Sequence, residues 1–162
     1  MTGSAPGRMF GGSTDLDLAE QKSWQNYVEA ALRMNAALNR KLTDAHRLSL
    51  ADVQLLALLD SSPANSLQMG DLAEALPSPA SRLTRQVRRL ENHGLVLRAA
   101  SADDRRRVLA SITDAGRTLL KQAIITYENG VRAHFLGPLS RPQIAAMATT
   151  CQQISGALKR SR

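Results

Sequence analysis

Between Ser81 and Arg89 the chain carries four arginines and two hydroxyl residues, Ser81 and Thr84, at three- and four-residue spacings. A guanidinium is a planar fork of donors that matches a phosphate or a guanine edge, and a hydroxyl serves either. On a helical wheel of about 100° per residue, Ser81, Arg85, Arg88 and Asn92 share one face. Arg82 and Arg89 flank it on one side and Thr84 on the other, while Ala80, Leu83, Val87 and Leu90 fall opposite. A solvated surface helix would mix signs at i,i+4. Here Arg85 lies four residues before Arg89 and three from both Arg82 and Arg88, with no acid before Glu91. Phosphates relieve such repulsion, so the pattern points to DNA. The residues nearest the helix start, Ser81, Arg82, Thr84 and Arg85, suit base edges, and Ser78, Arg88 and Arg89 suit phosphates.

A second group of arginines follows at Arg105, Arg106 and Arg107, directly after Asp103 and Asp104. An arginine on a short tip can enter a minor groove, where negative potential is strongest in narrow A·T tracts. A neighbouring carboxylate can hold its guanidinium through paired hydrogen bonds. A solvated turn with a local Asp–Arg pair accounts for the same residues equally well.

The elements that must position these groups are legible from periodicity and caps. Apolar residues at helical spacing predict a helix from Leu18 to Leu42, with Asp17 and Glu20 at its start. Ser49 caps a second helix, Leu50 to Leu59, with Asp52 completing a capping-box variant, and its apolar residues on all sides predict burial. Ser61 to Ser66 reads as a loop and Met69 to Leu76 as a short helix. Ser78 is the expected cap of the arginine helix, with Pro79 at its first position and Gly94 as a left-handed stop after Asn92 or His93. The period then turns to strand in Leu95–Arg98 and Val108–Ile112, with Ala99 to Arg107 as a hairpin tip. Thr113 and Asp114 open a long helix through Phe135 that Gly137-Pro138 breaks, and Ser140 with Gln143 boxes the start of a last helix. That helix carries Ile144, Met147, Cys151, Ile154 and Leu158 at alternating three- and four-residue steps, a coiled-coil-like seam. The expected fold is mainly α with a small β-hairpin wing, a winged helix-turn-helix domain plus terminal helices for dimerisation.

Composition narrows the function. The net charge of +7 is uneven: residues 78–107 hold eight arginines against three acids, while residues 41–77 hold two basic residues against five acids. A basic block of this kind fits a nucleic acid. Aromatic residues at 3 % argue against base-stacking single-strand binders. A lone cysteine excludes an intrachain disulfide framework and a cysteine-based zinc site. No run reaches the roughly 18 apolar residues of a membrane span, and the Gly/Ser/Thr-rich start lacks the apolar core of a secretion signal, so the expected location is cytoplasmic, without membrane contact. No catalytic triad, phosphate loop or supported carboxylate pair occurs, so no enzyme and no cofactor are expected.

The stretch Ser81 to Val96, and then Asp104 to Gly116, resembles the MarR family of winged-helix regulators. The family's wing signature, Asp-x-Arg followed by Thr-x-x-Gly, falls on Asp104, Arg106, Thr113 and Gly116. The resemblance implies a homodimer joined through its first and last helices, with a winged helix-turn-helix from each copy on a palindromic double-stranded operator. It implies Arg106, beside Arg105, as the minor-groove arginine and Asp104 as its orienting partner. It also implies a ligand-responsive repressor, with a small anionic or phenolic effector. The division that follows is an arm at 1–17, a dimerisation helix at 18–48, a DNA-binding domain at 49–113 and dimerisation helices at 114–162. Pro77 and Pro79, flanking the turn, depart from the family pattern, as does the arm.

Other residues are weighed against plainer roles. Trp24 and Val28, with Ile144, Met147, Cys151, Ile154 and Leu158, are expected in the dimer interface, and Trp24, Tyr27 and His46 are the expected ligand-pocket residues. Cys151 supports an alternative redox-responsive regulator, but it sits in an apolar stripe with no basic residue within a turn to activate it, which favours packing. His46, His93 and His134 lack metal-ligand spacing, and His93 suits a helix C-terminus. A winged-helix protein-interaction module is the remaining alternative; it would place an apolar outer face where the arginines stand.

Overall fold

The computed structural model describes residues 16–101, 104 and 107–160. The expectations for the arm before residue 16 and for Arg105 and Arg106 lie outside the described residues. Contacts divide the chain into two units, Met1–Arg33 and Met34–Arg162. α1 (Leu18–His46) has residues in both, and in the first it begins with a reciprocal cap: Asp17 N–H donates to Glu20 Oε2 at 2.8 Å and Glu20 N–H to Asp17 Oδ1 at 2.9 Å. Trp24 and Tyr27 lie with ring centroids 5.8 Å apart. In the second unit the helix runs four residues past its expected end at Leu42, with Leu38 and Leu42 in that unit's core.

The second unit holds the remaining elements: α2 (Leu50–Ser61), β1 (Ser66–Gln68), α3 (Met69–Ala75), α4 (Ala80–Asn92), β2 (Val96–Ala100), β3 (Val108–Ile112), α5 (Asp114–Val131) and α6 (Arg141–Arg160). α2 forms where its cap predicts, with Asp52 N–H on Ser49 Oγ and Ser49 N–H on Asp52 Oδ2. It is the buried centre, contributing Leu50, Val53, Leu55, Leu56 and Leu59 to a cluster completed by Leu72, Leu83, Val87, Leu90, Val96, Ile112 and Leu120.

Three local expectations are corrected. The segment 61–66, read as loop, ends in β1, which pairs antiparallel with β3 and makes a three-stranded sheet of order β1-β3-β2. Three residues are too few to show a strand period, and their ladder partner lies more than forty residues away. α4 starts at Ala80: Pro79 is its cap and Ser78 turns its N–H to Leu76 O at 2.7 Å. The extended backbone of Pro79, ψ 141°, keeps it outside the helix. The long helix predicted through Phe135 holds α-geometry to Val131 and then widens into a π-turn, Arg132–Leu136.

The junction between wing and α5 explains two of the signature residues, Thr113 and Gly116. Thr113 Oγ1 donates to Gly94 O at 2.7 Å and accepts the Gly116 N–H at 3.0 Å, and Thr113 N–H reaches Leu95 O at 3.1 Å. A Cβ at Gly116 would collide with the Leu95 carbonyl oxygen and stand 2.9 Å from Ile112 Cγ1, so only glycine lets α5 lie against the start of β2.

Candidate nucleic-acid interface

α4 turns its apolar residues Leu83, Val87 and Leu90 into the core, each at most 1 % exposed. Ser81, Arg82, Arg85 and Arg88 are exposed on the other side, and Thr84 is half-buried with its hydroxyl donating to Ala80 O at 2.9 Å. Among the described residues no ion pair engages Arg82, Arg85 or Arg88. The helix stops as predicted: Gly94 sits at φ 70°, its N–H on Glu91 O and the Leu95 N–H on Leu90 O, which folds the buried Leu95 back against the helix. His93 caps the same end, its Nδ1 donating to Arg89 O at 2.6 Å.

Arg89 is exposed as well, its side chain 45 % accessible, but unlike Arg82, Arg85 and Arg88 it has an acidic partner. Its Nη2 straddles the carboxylate of Asp52, 2.5 Å from one oxygen and 2.6 Å from the other. Asp52 is fully buried and also receives Gln86 Nε2 at 3.0 Å. Burial alone pushes this carboxyl up, but the hydrogen bonds from Arg89 and Ser49, with the Arg89 charge, outweigh it and hold the group below its ordinary value. Neither Asp52 nor Gln86 was marked by the sequence as part of this site. Gln86 and Arg89 lie 34 and 37 residues from Asp52, and the only signal at Asp52 was its helix cap.

One strand of the wing is tied to α4. Arg98 of β2 pairs with Glu91 of α4 at 2.7 Å. Arg107, at the foot of the tip, donates to Gln68 of β1 at 3.2 Å and places its Nε 3.5 Å from Asp104. Asp104 therefore has an arginine neighbour at Arg107. Ser78 is half-buried beside the turn that leads into α4.

The remaining expected residues are placed as follows. Trp24 and Tyr27 are exposed in the first unit, and Val28 is half-buried there. His46 hydrogen-bonds Thr126 Oγ1 at 2.7 Å in the second. On α6, Ile144 and Met147 are half-buried and Ile154 and Leu158 exposed. Cys151 is exposed, so packing within a single chain does not cover it: α6 contributes no buried residue to the core. Among the described residues no group of three acidic, histidine or cysteine side chains could hold a metal, and no helix is long and apolar enough to cross a membrane.

Residues 48–108, from α2 through the hairpin tip, match the MarR family model. The whole architecture also matches solved members: Sco3205 of Streptomyces coelicolor, a MarR family transcriptional regulator in complex with DNA, superposes with a TM-score of 0.84 at 29 % identity, over 88 % of this chain and 93 % of that one. The chain resembles MarR family regulators over this lobe and in its fold. A second MarR family regulator, AbsC of the same organism, gives a TM-score of 0.83 at 26 % identity, over 91 % of this chain and 99 % of that one. The organic hydroperoxide resistance transcriptional regulator of Bacillus subtilis (strain 168) is 31 % identical over 93 residues, which are 54 % of this chain and 63 % of that relative. The matched residues run through α2, β1, α3, α4 and β2 of the lobe described above.

Proposed function

We propose that this chain is a sequence-specific, double-stranded-DNA-binding transcriptional regulator that acts as a homodimer on a palindromic operator. The observation that carries the reading is the exposed face of α4, where Arg82, Arg85 and Arg88 have no acidic partner among the described residues while the opposite face is buried. Ser81, Arg82, Thr84 and Arg85 read base edges in the major groove, and Ser78 and Arg88 contact phosphates. The wing reaches the adjacent minor groove with Arg105 and Arg106, Asp104 orienting Arg106. Similarity to a family of transcriptional regulators, one of which is solved on DNA, supports this over an enzyme or a protein-docking winged helix.

A second copy covers the apolar stripe that α6 leaves open, with Ile144, Met147, Cys151, Ile154 and Leu158 in the interface, and Trp24 and Val28 from the first unit. The repressor sign and a small anionic or phenolic effector rest on the family resemblance. An effector would act by favouring a spacing of the two lobes that no longer fits half-sites one helical turn apart.

The alternative redox reading has one observation in its favour, the exposure of Cys151 in the single chain. Enrichment of duplexes from a randomised library by the full chain tests the main reading. Recovery of a palindromic consensus is expected; binding indifferent to sequence would overturn it. Release of that consensus duplex by an organic peroxide, lost in Cys151→Ser, would favour the redox reading instead.

A further inference from the structure

α4 is seated by Leu83, Val87 and Leu90, and apolar burial of this kind is non-directional. It fixes how deep the helix lies more firmly than how it is rotated. The polar contact beside it has direction. Asp52 presents both oxygens to Arg89 Nη2, gives one to Gln86 Nε2 and the other to the Ser49 N–H, and no buried side-chain polar atom among the described residues is left without a partner. Gln86 and Arg89 lie on the flank of α4 next to Arg82 and Arg85, and these four side chains line one groove with Ser49 and Asp52. A fully satisfied buried network of this kind specifies one geometry. Since the same carboxylate caps α2, the start of α2 and the arginine helix are joined at one point.

We infer that Asp52, Gln86 and Arg89 form a positioning lock for the reading helix, and that Arg89 acts through Asp52 rather than by binding a phosphate. The inference rests on the DNA-binding reading and sharpens it. The charge of Arg89 is already met by a buried carboxylate, unlike that of Arg82, Arg85 and Arg88. Transfer of its guanidinium to a phosphate would leave Asp52 a buried anion with its chief partner gone, which is strongly unfavourable. A rotation of α4 about its own axis would swing Ser81, Arg82, Thr84 and Arg85 together, so loss of the lock falls on discrimination between sequences.

The test uses the duplex enriched by the wild-type chain and a scrambled duplex of equal length, titrated by fluorescence anisotropy over a range of salt. Arg89→Gln and Asp52→Asn, which keeps an acceptor for the Ser49 N–H, are each expected to lower the selected-to-scrambled affinity ratio by about tenfold. The double variant should be no worse than the poorer single one, because both remove the same lock. The salt slope should be unchanged in Arg89→Gln and should shrink by about one in Arg88→Gln, which loses a phosphate contact. A slope reduced by about one in Arg89→Gln with the ratio unchanged would make Arg89 a phosphate contact and overturn the lock. Additive losses in the double variant, or no change in either quantity, would overturn it too. If Asp52→Asn fails to fold by circular dichroism, Arg89→Gln and Gln86→Met carry the test, both with a reduced ratio and an unchanged slope expected. A wild-type chain that enriches no sequence overturns the DNA reading itself, and the lock with it; an enriched sequence that Arg89→Gln still discriminates overturns the lock alone.

Discussion

α4 and α6 are both two-faced helices, and they leave opposite chemistries uncovered. α4 buries its apolar face against its own chain and exposes Arg82, Arg85 and Arg88. α6 buries nothing, and Ile154 and Leu158 remain 44 % and 65 % exposed. The chain takes the apolar face of α4 into its own core and leaves an apolar stripe uncovered on α6. A charged face calls for a polyanion and an apolar seam for another apolar surface, so the two helices specify different partners from one fold.

The contrast would break most visibly at two leucines. Leu90→Ala removes a fully buried side chain and is expected to cost about 2–5 kcal/mol in chemical unfolding. Leu158→Ala should leave the unfolding of the isolated chain within about 0.5 kcal/mol and act on self-association, read by sedimentation. Equal losses at the two sites would show that α6 belongs to the chain's own core. The next effect is on binding: Arg85→Ala should cost about 1–3 kcal/mol on the enriched duplex and relax its specificity, with the dimer intact. Unchanged discrimination would remove Arg85 from base readout.

Smaller effects sharpen the same division. Thr113→Ala deletes the cap that fastens α5 beneath the wing and should lower stability by about 0.5–2 kcal/mol, measured by thermal unfolding. Asp52 makes a pH-dependent contribution of known sign. Its carboxyl is held below 3.8, so an unfolded chain binds the proton more readily, and the contribution is present above 3.8 and lost as pH falls through the lowered value. Asp52→Asn should therefore flatten the acid limb of an ellipticity titration; a limb as steep as wild type would show that the pair adds nothing there. The smallest change is expected for Cys151→Ser, within about 0.5 kcal/mol in stability and with peroxide leaving DNA binding as in wild type. A peroxide response abolished by that substitution would move α6 from interface to sensor.

Much of the fold was legible because its signals are local. The boxes at Ser49/Asp52 and Ser140/Gln143, the left-handed Gly94 and the Thr113 cap each act within a few residues, and each stands where it was read. Hydrophobic spacing placed Leu83, Val87 and Leu90 inside and Arg82, Arg85 and Arg88 outside even though α4 begins at Ala80, since a shifted boundary leaves the period unchanged. β1 was not legible, because a three-residue strand has no identity until β3 lies beside it. The exposure of Cys151 was not legible either, since spacing marks an apolar seam without saying which molecule covers it.

By itself the sequence determined the two-faced helices, their order and the concentration of arginine on α4, for these follow from residue type and spacing along one element. It gave the adjacent Arg88 and Arg89 the same phosphate-contacting role. Only the tertiary structure separated them, by bringing the buried Asp52 from 37 residues away beneath one of them. A charge–charge interaction depends on distance and on the dielectric around it, and both come into being only when the chain has folded.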